Sequence, residues 1–406
     1  MAKRILIVCD AFPPDFAPRI GNLCKHLRAD FEVTVITRAS TKTSWPIHID
    51  RENMVLHTIP LTSDKPWIQA LQTAGDYLFS RSDRKLYREA MRRIQGERFD
   101  LVFCTSYYIF PLLCGKKIAQ RLHIPLLVDL RDIMEQNARP HGLERIRQFF
   151  KLRWLNQWRR DRVLRKAQLV TTVSPWHVKT LRKIQPNVEL VFNGYDRDLF
   201  SFQPIPSDKF AITYTGRLLD LSLRDPSLLF QAVRDLVADK AFANDLVLRW
   251  YVDNDSKADV ETMAQAYGVT VYNEVHGTIS ADQMPEVLNR SSIALVLSNK
   301  ATADGPHGIM TTKFYEALGC EKPVLCVRSD EDCLAETIQK TRAGIAASTV
   351  EEVKSFLLDN YRQWKEYGYT HQEVDLAQKE LFTRQAQAKQ FETLIIHNSL
   401  GSPIKM

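Results

Sequence analysis

Residues 307–327 read HGIMTTKFYEALGCEKPVLCV. Two threonines, a lysine and a glutamate sit in a short helical pattern that stops at Gly319. After Glu321, Lys322 and Pro323 the chain enters an apolar run of strand length. A helix delivered straight into a short, wholly apolar strand is half of a βαβ unit, because strands covered on both faces lose the polar alternation of half-buried ones.

The same alternation recurs outward in both directions. Strand candidates in the first half are Arg4–Cys9, Glu32–Thr37, Leu56–Pro60, Leu101–Cys104, Pro125–Asp129, Leu169–Val173 and Glu189–Phe192. In the second half they are Ala211–Thr215, Leu246–Val252, Thr270–Tyr272, Ile293–Leu297, Pro323–Val327 and Gly344–Ala347. Helical stretches lie between most of them, which predicts parallel sheets with helices on both faces. The polar, Pro-containing span SFQPIPSDKF after Phe200 reads as a linker. The expected organisation is an α/β domain over 1–203, a second over 204–370, and a helical segment over 371–406 that returns to the first. Two doubly wound domains facing a cleft place ligands just beyond strand ends.

Composition narrows the function classes. The chain has 406 residues with 45% hydrophobic and 25% charged, ordinary for a globular protein. It contains no apolar run long enough to span a bilayer. The apolar part of MAKRILIVCDAFPPD is too short for a signal peptide and reads as a first strand. The seven cysteines are scattered, without a C-x-x-C pair, which suits free thiols in a reducing cytoplasm and not disulfides or zinc. The histidines lack ligand spacing, so no metal site is expected. Net charge +7 suits an anionic partner.

Four strand ends carry candidate chemistry. After the first strand there is no G-x-G-x-x-G, which weighs against a dinucleotide enzyme; instead a Pro-rich loop leads to Arg19 and Gly21. The plain reading there is a surface arginine on a rigid loop. The fifth strand ends in VDLRD, where Asp132 can orient or deprotonate a hydroxyl and Arg131 can hold an anion; the plain reading is an internal Asp–Arg pair. The second domain opens with YTGR, where Gly216 admits close approach and Arg217 can pair with phosphate. Arg224 precedes Asp225-Pro226 at a helix start. In the opening stretch, Thr312 reads as the N-cap and Gly319 as the C′ residue. A capping box would need Glu or Gln at 315, which is Tyr. Lys313 in the first turn opposes the helix dipole unless an anion sits there.

With these residues in hand, the chain resembles the retaining glycosyltransferases of the GT-B fold, family 4, over nearly its full length. The resemblance rests on YTGR (214–217), RDPSLLFQAV (224–233) and TTKFYEALGCEKPVL (311–325), in that order. In the first half it rests on the loop with Arg19 and Gly21, TTVSPWHVKTL (171–181) and FNGYDRDLF (192–200). It implies transfer of a sugar from a UDP- or GDP-linked donor with retention and without a metal or other cofactor. Arg217 and Arg224 would neutralise the leaving diphosphate, the Thr311 and Thr312 amides would hold it, and Glu316 would hold the ribose. Arg19 and Gly21 would lie on the acceptor side. Three positions depart from the family pattern. Gly308 stands where a glutamate is usual, leaving His307 and its loop to meet the sugar. Arg131 or Asp132 stands near the place of a histidine, and Arg224 replaces a lysine. A GT-B epimerase and a non-catalytic nucleotide-sugar-binding subunit are the alternatives.

One segment is unusual in composition. Residues 144–170, ERIRQFFKLRWLNQWRRDRVLRKAQLV, interleave cations with Phe149, Phe150, Trp154 and Trp158. A basic amphipathic helix suits an anionic membrane surface and hence a polyprenyl-linked or other glycan acceptor, with contact over 144–166. No nucleic-acid-binding motif accompanies it. The plain alternative buries the aromatics and solvates the arginines.

Overall fold

The computed structural model describes residues 3–39, 49, 54–61, 72, 75–76, 78–106, 109–137, 153–219, 221, 223–298, 305–330 and 332–399. The chain divides into two compact units, 1–192 with 384–406, and 193–383.

The first unit is built on a parallel sheet of seven strands: β1 (Lys3–Cys9), β2 (Phe31–Arg38), β3 (Met54–Ile59), β4 (Leu101–Ser106), β5 (Leu126–Leu130), β6 (Leu169–Thr172) and β7 (Val188–Leu190). Their order is β3-β2-β1-β4-β5-β6-β7. Helices α1 (Pro18–His26), α2 (Arg81–Arg93), α3 (Leu112–Leu122), α4 (Arg153–Leu164) and α5 (Pro175–Leu181) belong to this unit. Alternate strand residues feed two cores. Leu6, Val8, Val102, Cys104 and Val128 pack with α2 to α5. Ile5, Ile7, Val35, Phe103 and Leu127 pack with α1 and with Phe391 and Ile395 of the C-terminal helix Arg384–Ser399. Burial on both faces explains why these strands are continuously apolar in sequence.

The second unit repeats the plan with six parallel strands: β8 (Phe210–Thr215), β9 (Leu246–Tyr251), β10 (Asn273–His276), β11 (Ile293–Leu297), β12 (Val324–Val327) and β13 (Gly344–Ala347). Their order is β10-β9-β8-β11-β12-β13. Between them run α6 (Ser227–Leu236), α7 (Lys240–Asp245), α8 (Asn254–Ala266), α9 (Met284–Asn289), α10 (Thr312–Gly319), α11 (Cys333–Thr341), α12 (Val350–Tyr367) and α13 (Leu376–Glu380). In each sheet the order reverses beside the first strand, at β1/β4 and at β8/β11. Such a switch point opens a crevice at the carboxyl ends of the strands, where α/β folds bind ligands.

The structure corrects three expectations. Thr270–Tyr272 is a 3-10 turn, and the edge strand begins at Asn273. Gly268 takes φ +70° and Asn273 Nδ2 donates to the Val269 carbonyl at 2.7 Å, so local turn chemistry overrides the β-branched run. Gly319 is the last helical residue, not the left-handed residue beyond it; Glu321 takes φ +51° instead. A Cβ on Gly319 would come within 2.7 Å of the Tyr195 ring and 2.8 Å of Phe200 Cβ, so the glycine serves close packing. That packing, with the bridge between Tyr195 and Thr383, joins 193–203 to the second unit. The units therefore divide after Phe192 and after Thr383, not in the Pro-containing span or at 371.

Gly344 is the tightest glycine in the sheet. At φ +150°, its Cβ would fall 2.0 Å from the Val324 carbonyl oxygen across the β12–β13 pair. The obstacle is backbone and cannot rotate away. Gly344→Ala is expected to cost about 2–3 kcal/mol, read as a lowered melting temperature. An unchanged melting temperature would refute this assignment.

Candidate functional site

In the second unit, the loop after β8 is pinned from several sides. The Gly216 amide donates to the Tyr251 carbonyl at 2.8 Å, and the Leu218 amide donates to Ser256 Oγ at 2.9 Å. Tyr214 Oη donates to the Arg217 carbonyl at 2.7 Å, and Arg224 donates to the same oxygen. Gly216 adopts φ +102°, which strongly favours glycine. A Cβ there would lie 2.7 Å from Lys313 Cε and 2.8 Å from Lys313 Nζ. The Lys313 side chain therefore lies directly across the Gly216 backbone, with its ammonium 5.8 Å from the centre of the Tyr214 ring.

Lys313 comes from the first turn of α10. Thr311, not Thr312, is the N-cap, and its side chain makes no capping hydrogen bond. Thr312 is the first helical residue. The first-turn amides thus lack a side-chain cap, and two cations stand close by. Burial and the Arg224 guanidinium push the Lys313 ammonium down to about 8, partly opposed by Glu316. Such crowding of positive charge is tolerable without a ligand only at a cost in stability, and an anion relieves it. Arg217 is 70% exposed and pairs with Asp253 at 3.2 Å. Asp253 also caps α8 by accepting from the Ser256 amide at 3.1 Å. Asp225 accepts from the Ser227 amide at the start of α6 and from Arg328 at 3.1 Å.

Gly216, Arg217, Arg224, Lys313 and Glu316 thus gather at the carboxyl ends of β8 and β11, the switch point of the second sheet. Upstream of α10, His307 is half-buried and Gly308 is buried with φ +63°. A glutamate strains that backbone, which gives a conformational reason for glycine at 308. Asp304 lies outside the described residues.

The first unit places its candidates differently. Arg19 is not a surface residue; it is 5% exposed. Its guanidinium donates to both Asp129 oxygens at 2.8 and 2.9 Å, and to the Val191 and Phe192 carbonyls at 2.9 Å each. Asp129 also accepts from Thr105 and Thr171. Gly21 is buried early in α1. Arg131 pairs with Asp10 at 2.7 Å, joining the ends of β5 and β1, so an internal Asp–Arg pair exists, with Asp10 as its carboxylate. Asp132 accepts from Gln136 Nε2 at 2.6 Å. Burial pushes its carboxyl up to about 6, against the pull of Gln136 and Arg131. That value suits a group exchanging protons near neutrality.

Two features here have no counterpart in the sequence-derived site. Glu135 accepts two hydrogen bonds from the buried Arg160 at 2.7 and 2.6 Å. His177 is buried, with Nδ1 3.2 Å from Thr172 Oγ1. Burial holds its imidazole down to about 4, despite Glu135, so it is neutral at physiological pH. The Ser-Pro-Trp-His run signals the cap and first turn of α5, but not this burial. Residues 144–152 of the basic segment, with Phe149 and Phe150, lie outside the described residues.

A family model described as a glycosyl transferase 4-like domain matches residues 16–194. No curated protein matches the chain. Among solved structures, the chain is similar to sucrose-phosphate synthase from Thermosynechococcus elongatus (TM-score 0.68, 14% identity, 97% of this chain and 98% of that one). It is similar to Anabaena HepE in complex with UDP (0.65, 12%, 97% and 100%). It is also similar to a glycosyltransferase from Rickettsia africae (0.64, 14%, 98% and 99%). These likenesses show the GT-B fold: two Rossmann-like α/β units on parallel sheets.

Proposed function

We propose that the chain is a retaining, metal-independent glycosyltransferase. It takes a sugar from a nucleoside-diphosphate donor and delivers it to a glycan or lipid-linked acceptor, in surface polysaccharide or glycolipid synthesis at the cytoplasmic face of a membrane. The observation that carries the reading is the meeting of Gly216, Lys313 and Arg224 at the uncapped start of α10, with Arg217 on the same loop and turned to Asp253. As the glycosidic bond breaks, negative charge accumulates on the departing diphosphate, and fixed cations and amides aimed there lower the barrier. Three side-chain cations supply that charge in place of a divalent ion. Glu316, one turn into the helix, accepts from ribose hydroxyls in this reading. One neighbour in the fold supports the donor class, HepE, solved in complex with UDP and with UDP-glucose, and the acceptor class is in keeping with the lipopolysaccharide galactosyltransferase WaaB.

Screening UDP, GDP, ADP and CMP for a rise in melting temperature tests the reading, since a ligand bound only by the folded state stabilises it by mass action. One of them should raise it, and Glu316→Ala should weaken that ligand about tenfold or more. Product anomers read by proton NMR decide retention. If none of the four stabilises the protein, the reading fails.

A further inference from the structure

Helix α4 turns its two tryptophans outward. Trp154 is 54% exposed and Trp158 50%, while Arg160, Val163 and Leu164 on the opposite side are buried. The outward stripe continues through Arg162, whose guanidinium stacks 4.7 Å from the Trp158 ring. The alternative of buried aromatics therefore fails for this pair. A second apolar pair, Leu78 and Phe79, is 49% and 60% exposed. Arg159 Nη2 donates to the Leu78 carbonyl at 2.5 Å, so the two pairs belong to one surface.

Around them the surface is strongly positive. α2 carries six Lys and Arg against two carboxylates, α3 three against none, and α4 three, besides the buried and paired Arg160, against one. Of those carboxylates Asp83 is buried, Glu89 pairs with Arg92 and Asp161 with Arg160. The cations crowd one another: burial, then Arg162, Lys166 and Lys117, push the Lys116 ammonium below its ordinary value. Tryptophans interleaved with an excess of cations over carboxylates match the headgroup layer of an acidic bilayer, where indoles settle at the interface and cations meet lipid phosphate.

We propose that the face formed by α2, α3 and α4 docks on an anionic lipid surface, with Trp154, Trp158, Leu78 and Phe79 as interfacial anchors. The inference rests on the reading above for its purpose, bringing the enzyme to a lipid-linked acceptor, and not for the surface itself. A protein partner offers no equal match, since the anchors are interspersed with cations. Single-stranded nucleic acid would also use cations and aromatic rings, but the aliphatic Leu78 beside Phe79 is no base-stacking group and no nucleic-acid-binding motif accompanies the segment.

The test is flotation of the full chain with vesicles of phosphatidylcholine alone and with 30% phosphatidylglycerol (~30%, enough to set a negative surface potential). Binding should require the anionic lipid and fall about tenfold in Trp154→Ala/Trp158→Ala. It should fall similarly in Lys116→Glu/Arg162→Glu, and more steeply with added salt. Because the tryptophans are half-exposed, melting temperatures should stay close to wild type, and whichever of UDP, GDP, ADP or CMP stabilises wild type should stabilise every variant equally. Equal binding to neutral vesicles, no binding at all, or tryptophan variants that bind as tightly as wild type would overturn the proposal. So would a preference for single-stranded oligonucleotide over acidic vesicles. Loss of vesicle binding with that stabilisation intact separates this surface from the donor site.

Discussion

Arg19→Ala should destabilise the first unit by about 3–5 kcal/mol, the range for removing one partner of a buried ion pair. The side chains of Arg19 and Asp129 are 4% and 1% exposed, and the carboxylate sits between Thr105 and Thr171. Truncation leaves Asp129 charged in the interior and takes the donor from the Val191 and Phe192 carbonyls. It also removes the guanidinium stacked 5.0 Å from Phe391, so the C-terminal helix loosens with it. The pH dependence carries the diagnostic sign. In the wild type, burial raises the Asp129 pKa, but Arg19 and the hydroxyl donors outweigh it and hold it below the ordinary value. That contribution is present above the unfolded pKa of about 4 and is lost as pH falls through the lower folded value. Without Arg19, burial dominates, the carboxyl rises, and the variant should gain stability as pH drops from 7 towards 5. Melting curves across that range decide the matter. A variant as stable as wild type, or one without the opposite slope, would remove Arg19 from its structural role. Arg19→Met with Asp129→Leu should recover part of the loss, since an apolar pair leaves no charge stranded.

This strut shows where sequence reading stops. The alternation of buried strands and helices is local information, and a strand such as Ile293–Leu297 is legible to the residue because a continuous apolar run follows from burial on both faces. Arg19 reads as a loop arginine because its partner lies 110 positions away. Gly319 reads as a helix terminator because nothing nearby in sequence announces Tyr195 and Phe200 pressed against it. The 3-10 turn at Thr270–Tyr272 was hidden by β-branched composition. The corner proposed to hold the donor is more legible, since its chemistry violates local rules. A lysine in a first turn is unfavourable, and a glycine after a strand is entropically costly, unless something brings them together. What the sequence lacked was that the two violations meet, the lysine lying over the glycine.

That meeting makes Lys313 the residue with the largest expected effect on turnover. Lys313→Met should lower kcat by about 100-fold, the scale for losing one preorganised donor to developing charge. Its charge state sets a pH profile. With the ammonium near 8 in the free protein, the charged form predominates at pH 7 and is a minority by pH 9. A bound diphosphate favours the charged form, so binding takes up a proton once the pH exceeds about 8. Affinity for the nucleoside diphosphate that stabilises the protein should therefore weaken about tenfold from pH 7 to 9 in the wild type and stay nearly flat in Lys313→Met. Stability without ligand moves oppositely. The depressed pKa means that the charged lysine penalises the folded state fully below about 8, a penalty relieved as pH rises towards the ordinary 10.5. Calorimetry in buffers of different ionisation enthalpy counts the proton directly. Titrations of wild type and Lys313→Met at pH 7, 8 and 9 give the slope, and one that persists without the lysine would assign the titration to another group.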